Sequence, residues 1–313
     1  MSAPMRAIAL GVHVVDVLAR PIEAIPEGQG GQLVEQIKIT AAGSAGGTAI
    51  TLAKLGAEVR SAGAIGSDAL GDVLVDLLTR AGVDPGLLIR RADVQTSASV
   101  LPIPDGSRPA FHVVGANATY TPADAPWEAI AASTHLHLGA PEFMGGEEAA
   151  KILRHARAHD TVTSADLLAP GDQAAHIIDW IGAALPELDY LLPNAEQLVG
   201  LSGAPDLQDG CRALLERGVG CIAVTDGVRG AIVADESGVQ RVPAFAADVV
   251  DTTGCGDAFS AGFLRGLSLG IARRDAAALG CATAAFVAEG LGSDHGTFAL
   301  QDVQERVAAG AVI

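Results

Sequence analysis

The chain has 313 residues, 49% of them hydrophobic and only 4% aromatic, with 37 Asp and Glu against 20 Lys and Arg for a formal net charge of −17. An acidic surface of that strength repels nucleic acid and anionic membranes, so neither is expected as a partner. Phosphate ligands stay open, because local backbone donors and Mg²⁺ bind them on acidic proteins too.

The length suits a single large α/β domain, and few aromatics with many Ala and Gly suit helices lying close on a sheet. Cys211, Cys221, Cys255 and Cys281 show no C-x-x-C pairing and are expected to be reduced thiols of a cytoplasmic protein. His13 and Asp16 interrupt the first apolar run, so it does not read as a secretory leader, and no charge-free stretch is long enough to span a bilayer.

In chain order, Ala7 to Val17 reads as one strand covered on both faces, carrying Asp16 near its end. Leu33 to Thr40 alternates as a half-exposed strand, part of a small flap. The glycines of Ala41 to Gly47 precede a helix expected over Thr48 to Leu55. Val59 to Ala64 is a second buried strand, and Leu70 to Arg80 an amphipathic helix. Gln95 to Ile103 and Pro109 to Val114 read as an exposed hairpin joined at Pro104-Asp105-Gly106-Ser107. Strands at Thr134 to Leu138, Thr161 to Ala165, Tyr190 to Leu192 and Cys221 to Thr225 then alternate with helices, among them Gly146 to His159 and Cys211 to Arg217. That order predicts a mostly parallel sheet with helices on both faces. Ligands bind beyond the carboxyl ends of such strands, where Asp16, Asp166, Asn194 and Asp226 are expected. His135 and His137 share a strand face; a structural role outweighs a metal site, since no third ligand is implied.

The stretch Asp251-Thr252-Thr253-Gly254-Cys255-Gly256-Asp257 passes from turn chemistry to helix chemistry within a few residues, and Ala258, Phe259, Gly262 and Phe263 continue as a helix. A glycine-rich turn entering a helix aims unpaired N–H groups at one spot, which attracts an anion. Asp257 in the first turn has two readings: a capping carboxylate worth up to about 1 kcal/mol, or a general base beside bound phosphate. Cys255 fits a backbone role as well as a thiol role.

This stretch resembles the signature of the ribokinase-like, or PfkB, carbohydrate kinases, Asp-Thr-x-Gly-Ala/Cys-Gly-Asp, and the similarity runs over nearly the whole chain. The resemblance implies a three-layer α/β/α ribokinase-like fold with a mostly parallel central sheet and a small β lid. It implies a single domain over 1–313, with lid segments roughly 14–41 and 95–115. It also implies ATP-dependent phosphorylation of an alcohol on a small sugar, sugar acid or nucleoside. Asp257 would be the catalytic base, and the amides of Gly254, Cys255 and Gly256 the anion hole. Asp16, Gly43, Gly47 and Asn117 match substrate positions; Asn194, Thr225 and Gly227 match nucleotide positions. Asp251 and Thr253 match positions that hold a monovalent cation, often K⁺, beside ATP and Mg²⁺. A homodimer through the lid is a further implication.

The chain departs from the family pattern at three substrate positions: Gly47 stands where Asn is common, Val14 where ribokinases carry Asn, and Gly139 where they carry Glu. Asn-x-x-Glu becomes Asn194 followed by Gln197. A phosphorylated sugar would need cations near the lid, for which Lys38, Arg90, Arg91 and Arg108 are candidates. Two rivals are a nicotinamide-dependent oxidoreductase, disfavoured because Phe259 fills the third glycine position of G-x-G-x-x-G, and a non-catalytic sugar or nucleotide sensor on the same fold.

Overall fold

The computed structural model describes residues 4–104, 109–168, 177–310 and 312–313, so Asp105 to Arg108, most of the expected hairpin turn, lie outside the described residues. The first part of the chain gives β1 (Arg6–Gly11), β2 (Val14–Arg20), β3 (Gln36–Ala42), α1 (Ser44–Lys54), β4 (Glu58–Gly66), α2 (Ala69–Arg80) and β5 (Asp84–Arg91). Next come β6 (Ala98–Pro102), β7 (Phe111–Val113), α3 (Trp127–Ala132), β8 (His135–Gly139), α4 (Gly146–Arg157), β9 (Val162–Asp166) and β10 (Tyr190–Leu191). The remainder forms α5 (Ala195–Ser202), α6 (Leu207–Glu216), β11 (Cys221–Thr225), β12 (Ala231–Asp235), β13 (Gly238–Val242), α7 (Cys255–Ser268), α8 (Arg273–Ala288) and α9 (Leu300–Ala309).

Among the described residues, nine strands make the large sheet in the order β13-β12-β11-β10-β9-β8-β1-β4-β5. It is parallel except where β12 pairs antiparallel with β11 and β13 at one edge. A second sheet has the order β3-β2-β6-β7, with β2 and β6 parallel. Its strands come from two stretches of the chain, 14–42 and 98–113.

Two expectations need correcting. Ala7 to Val17 is not one strand: β1 belongs to the large sheet and β2 to the second. The chain is turned between them because the Val12 amide donates to the Gly139 carbonyl and Asn117 grips the main chain of His13. Asp16 therefore lies inside β2 of the second sheet, not beyond the end of a large-sheet strand. The helix expected from Thr48 begins four residues earlier, at Ser44, and takes in Gly46 and Gly47. Glycine inside a helix costs backbone entropy, and the close approach of α7 described below offsets that cost.

Alternation on β1 shows how the layers form. Ala7 and Ala9 pack with Ile50, Leu52, Phe259 and Phe263 under α1 and α7, whereas Ile8 and Leu10 pack with Leu136, Leu138, Ile152 and Leu153 on the opposite face. Small residues on the first face let α1 come close to the sheet. Phe259 and Phe263 stack with centroids 6.0 Å apart on the buried side of α7, and burial of each contributes roughly 1.5–3 kcal/mol. They anchor the helix whose N-terminus faces the candidate site.

Candidate active site

Gly254 caps α7 with φ 77°, a left-handed conformation. A β-carbon there would lie 2.3 Å from Ser293 Cβ, so both conformation and space require glycine. The Ala258 amide donates to the Gly254 carbonyl at 2.8 Å and starts the helix. The Cys255 amide donates to the Thr252 carbonyl at 3.2 Å, so the turn already shares one of the three amides expected to form the anion hole. Gly256 is exposed, and as the second residue of α7 its amide has no intrahelical acceptor and lies at the positive end of the helix dipole.

Asp257, half-buried in the first turn, rests on α1. A β-carbon on Gly47 would sit 2.2 Å from Asp257 Oδ2, and the Thr48 hydroxyl donates to the Asp257 carbonyl at 3.4 Å. Where the resemblance leads to an Asn, the structure has Asp257 in the space an Asn side chain would enter. Gly139 departs for a related reason, since a β-carbon there would lie 2.2 Å from the Ala45 amide nitrogen at the start of α1.

On the second sheet, Asp16 is 7% exposed and lies opposite Thr40 on β3 and Ser99 on β6. Gly43 caps α1 close to Val12, whose carbonyl would be 2.6 Å from a β-carbon. Asn117 accepts from the His13 amide and donates to the His13 carbonyl and the Ser97 hydroxyl, so its side chain fixes the entry to β2. His13 is fully buried, with Nδ1 3.0 Å from the Gly11 carbonyl, and burial pulls its pKa down to about 4. Its imidazole is neutral at pH 7.

The turn before α7 is tied to a distant loop. Asp251 Oδ1 accepts from the Thr253 amide and hydroxyl, and Oδ2 accepts from the Gly292 amide at 2.9 Å. Ser293, next in that loop, backs Gly254 and donates to the Ala41 carbonyl. Sequence reasoning missed Ser293; the only signal was the glycine spacing Gly290, Gly292 and Gly296.

At the ends of the large-sheet strands, Thr225 bridges to Asn194. Asn194 and Gln197 form a reciprocal capping box on α5, and Gln197 Nε2 also donates to the Leu167 carbonyl at 2.9 Å. A Glu at that place could accept in the box but could not donate to a carbonyl while ionised. Gly227 opens a short 3₁₀ turn in which Asp226 binds Arg229. An open groove of about 910 Å³ borders this segment, lined in part by Glu196, Asp206, Asp226, Arg229 and Arg241. Asp166, at the end of β9, lies 3.6 Å from His137 Nε2, and its Oδ1 is buried with no hydrogen-bond partner among the described residues. His135 Nδ1 lies 2.8 Å from the Thr134 hydroxyl and His137 Nδ1 3.0 Å from the Ser164 hydroxyl. No helix of the described residues is long and apolar enough to cross a membrane.

The cations considered for a phosphorylated sugar are engaged elsewhere. Lys38 pairs with Asp294, Arg90 with Asp72 and Arg91 with Asp124, and Arg108 lies outside the described residues.

The chain is similar to known proteins over most of its length. A family profile described as pfkB family carbohydrate kinase matches residues 10–297. A nucleoside kinase of Methanothermobacter thermautotrophicus is 26% identical over 301 residues, 95% of this chain and 92% of that one. An ATP-dependent ribose-1-phosphate kinase of Halopiger xanaduensis is 30% identical over 261 residues, 83% of this chain and 84% of that one. In structure, an E. coli protein assigned as a ribokinase II, in complex with ATP and Mg²⁺, superposes with a TM-score of 0.84 at 19% identity, covering 98% of this chain and 100% of that one.

Proposed function

The chain belongs to the pfkB family of carbohydrate kinases, and from that premise we propose that it transfers the γ-phosphoryl group of ATP to an alcohol of a small sugar, sugar acid or nucleoside. The observation that carries this reading is Asp257, a carboxylate lodged against Gly47 and next in sequence to Gly256, whose amide has no acceptor within α7. A base and an anion-binding backbone stand side by side, as in-line phosphoryl transfer requires.

In this reading ATP supplies the phosphoryl group and Mg²⁺ neutralises charge on its oxygens. Asp257 takes the proton of the substrate hydroxyl as that oxygen bonds to the γ-phosphorus and the bond to the bridging oxygen of ADP breaks. The amides of Gly254 and Gly256, with the α7 dipole, receive the charge on the transferring group. Asp16 and the Gly43 turn hold substrate hydroxyls from the second sheet, with Gly47 leaving room for the base, and Asn117 keeps the β2 entry in place for them. Asn194, Thr225 and Gly227 line the nucleotide. Asp166, whose Oδ1 is buried without a hydrogen-bond partner among the described residues, would suit a hydrated Mg²⁺. Asp251 and Thr253 are assigned to K⁺ as the finer part of the proposal.

The second sheet takes the part of a lid, covering the substrate and excluding water. Its outer face is the proposed seat of a second copy. Ile39, Val17, Val100 and Phe111 form one row across β3, β2, β6 and β7, and Ile39, Val100 and Phe111 are 48%, 52% and 63% exposed. On a chain of net charge −17, an apolar face without charge is where two copies can meet without mutual repulsion.

The test is ATP turnover across sugars, sugar acids, sugar phosphates and nucleosides with Mg²⁺, with and without K⁺, beside Asp257→Asn. Loss of about 10²–10⁴-fold in the variant supports the assigned base. Retained rate in Asp257→Asn would remove it, and tight binding of ATP or a panel member without turnover would make the chain a sensor.

A further inference from the structure

Lys54, the last residue of α1, directs its ammonium into a nest of three carbonyls: Asp294 at 2.7 Å, His295 at 2.9 Å and Gly296 at 2.8 Å. The ring of Phe298 lies beneath it at 4.9 Å. All three protons are matched, the most an ammonium can offer. The same loop is held from the second sheet, where Lys38 donates to the Leu291 carbonyl and pairs with Asp294. Leu291 packs with Leu18 and Leu101 on the inner face of that sheet. Between the two lysines, Gly292 donates to Asp251 and Ser293 presses on Gly254. Burial pulls Lys54 down to about 8 despite Asp294 nearby, with Lys38 pushing the same way.

We propose that Lys54 is a positioning residue for the anion-hole turn, holding the loop Leu291–Gly296 so that Ser293 fixes Gly254 in its left-handed conformation. This rests on the kinase reading only for its catalytic consequence. The loop touches the second sheet through Lys38, Thr40 and Ala41, the turn before α7 through Asp251 and Gly254, and α1 through Lys54. One cation thus ties the support of Asp257 to the support of the phosphate-binding amides, because α1 carries both Gly47 and Lys54. Without the ammonium, three carbonyls lose their donor and the Ser293 wall loses its brace.

The experiment compares wild type, Lys54→Met and Lys54→Arg. Amide hydrogen exchange is read over residues 251–257 and 290–297, and steady-state kinetics use MgATP with whichever of ribose, adenosine or cytidine the wild type phosphorylates. The expected result for Lys54→Met is faster exchange in both segments and a kcat lower by about tenfold or more, with KM for ATP changed less than about threefold. Lys54→Arg, which keeps charge and donors, should recover most of both. Faster exchange confined to 290–297 would overturn the proposal, and an unchanged kcat with loosened exchange in both segments would overturn its catalytic consequence. Should Lys54→Met fail to fold, Lys54→Gln is read in the same way. If the wild type turns over none of the three substrates, the kinase reading has failed there, while the exchange of residues 251–257 still decides whether Lys54 holds the turn.

Discussion

Asp257 and Gly47 meet without a side chain between them: a β-carbon on Gly47 would lie 2.2 Å from Asp257 Oδ2, 2.8 Å from Cγ and 2.9 Å from Cβ. The family's usual Asn cannot be placed there with Asp257 as it stands. Gly47→Ala tests what that space is for. Alanine is favoured over glycine inside a helix by roughly 0.5–1 kcal/mol, but only the Asp257 carboxylate can turn away; its Cβ is fixed to α7, so α1 and α7 must move apart and thermal stability should fall. Phosphoryl transfer should fall by about tenfold or more, because a base moved by an ångström loses its alignment. Wild-type kcat in the variant would show that the position of Asp257 does not depend on Gly47.

Gln197 donates to the Leu167 carbonyl while completing the α5 capping box. Gln197→Glu keeps the box and sets a carboxylate against a carbonyl, which should cost about 1–3 kcal/mol near neutral pH. The loss should shrink in acid, where the introduced carboxyl is protonated and can donate again. Denaturant unfolding at pH 7.5 and 5 reads this, and equal loss at both pH values would mean the Leu167 bond carries no weight.

Acid should weaken the fold before its carboxylates titrate. Burial holds His13 and His135 at about 4 in the folded chain, against 6.5 for a free imidazole, and His112 and His295 are lowered as well. As pH falls from 6.5 towards 4, the unfolded chain takes up protons that the folded chain refuses, so stability declines across that window. The loss levels off for these groups below about 4, with roughly 3 kcal/mol from each fully buried histidine as an upper bound. Melting temperature measured from pH 7 to pH 4 checks this, and a flat profile down to pH 4.5 would contradict it.

Phe111, 63% exposed on the outer row of the second sheet, lies in register with Val100. Phe111→Glu places a charge in the proposed contact between two copies and should give monomers in sedimentation velocity where the wild type sediments as a dimer. A wild type that is monomeric at all concentrations would remove the dimer.

Much of this was legible from local chemistry. Asp251 to Phe263 could be read directly because turn, cap and helix face are decided within a few residues, and β8, β9 and β11 because apolar runs ended in polar residues. Other features depend on partners far away. The break between β1 and β2 is invisible in a continuous apolar run, since it is made by Gly139 and Asn117 more than a hundred residues later. β5 was missed because Pro85 and Gly86 look like a turn, although its register with β4 begins beside a bulge. α8 is an Ala-rich helix buried over most of its surface, so it offers no polar stripe by which periodicity could find it. The job of Gln197 needed the Leu167 carbonyl to be seen.

The α1–α7 contact also bears on how the protein is made. Thr48 reaches Asp257 and Arg265 reaches the Leu55 carbonyl across 209 and 210 residues of chain, and β1 pairs with β8 across more than a hundred. A ribosome releases α1 long before α7 exists to cover it, so a nascent chain carries the apolar face around Ile50 and Leu52 uncovered for most of its synthesis. Topology of this kind folds slowly. Growth at lower temperature or with chaperones in excess should therefore raise the soluble yield more than changes to the surface, and truncations ending before residue 255 should accumulate as aggregates.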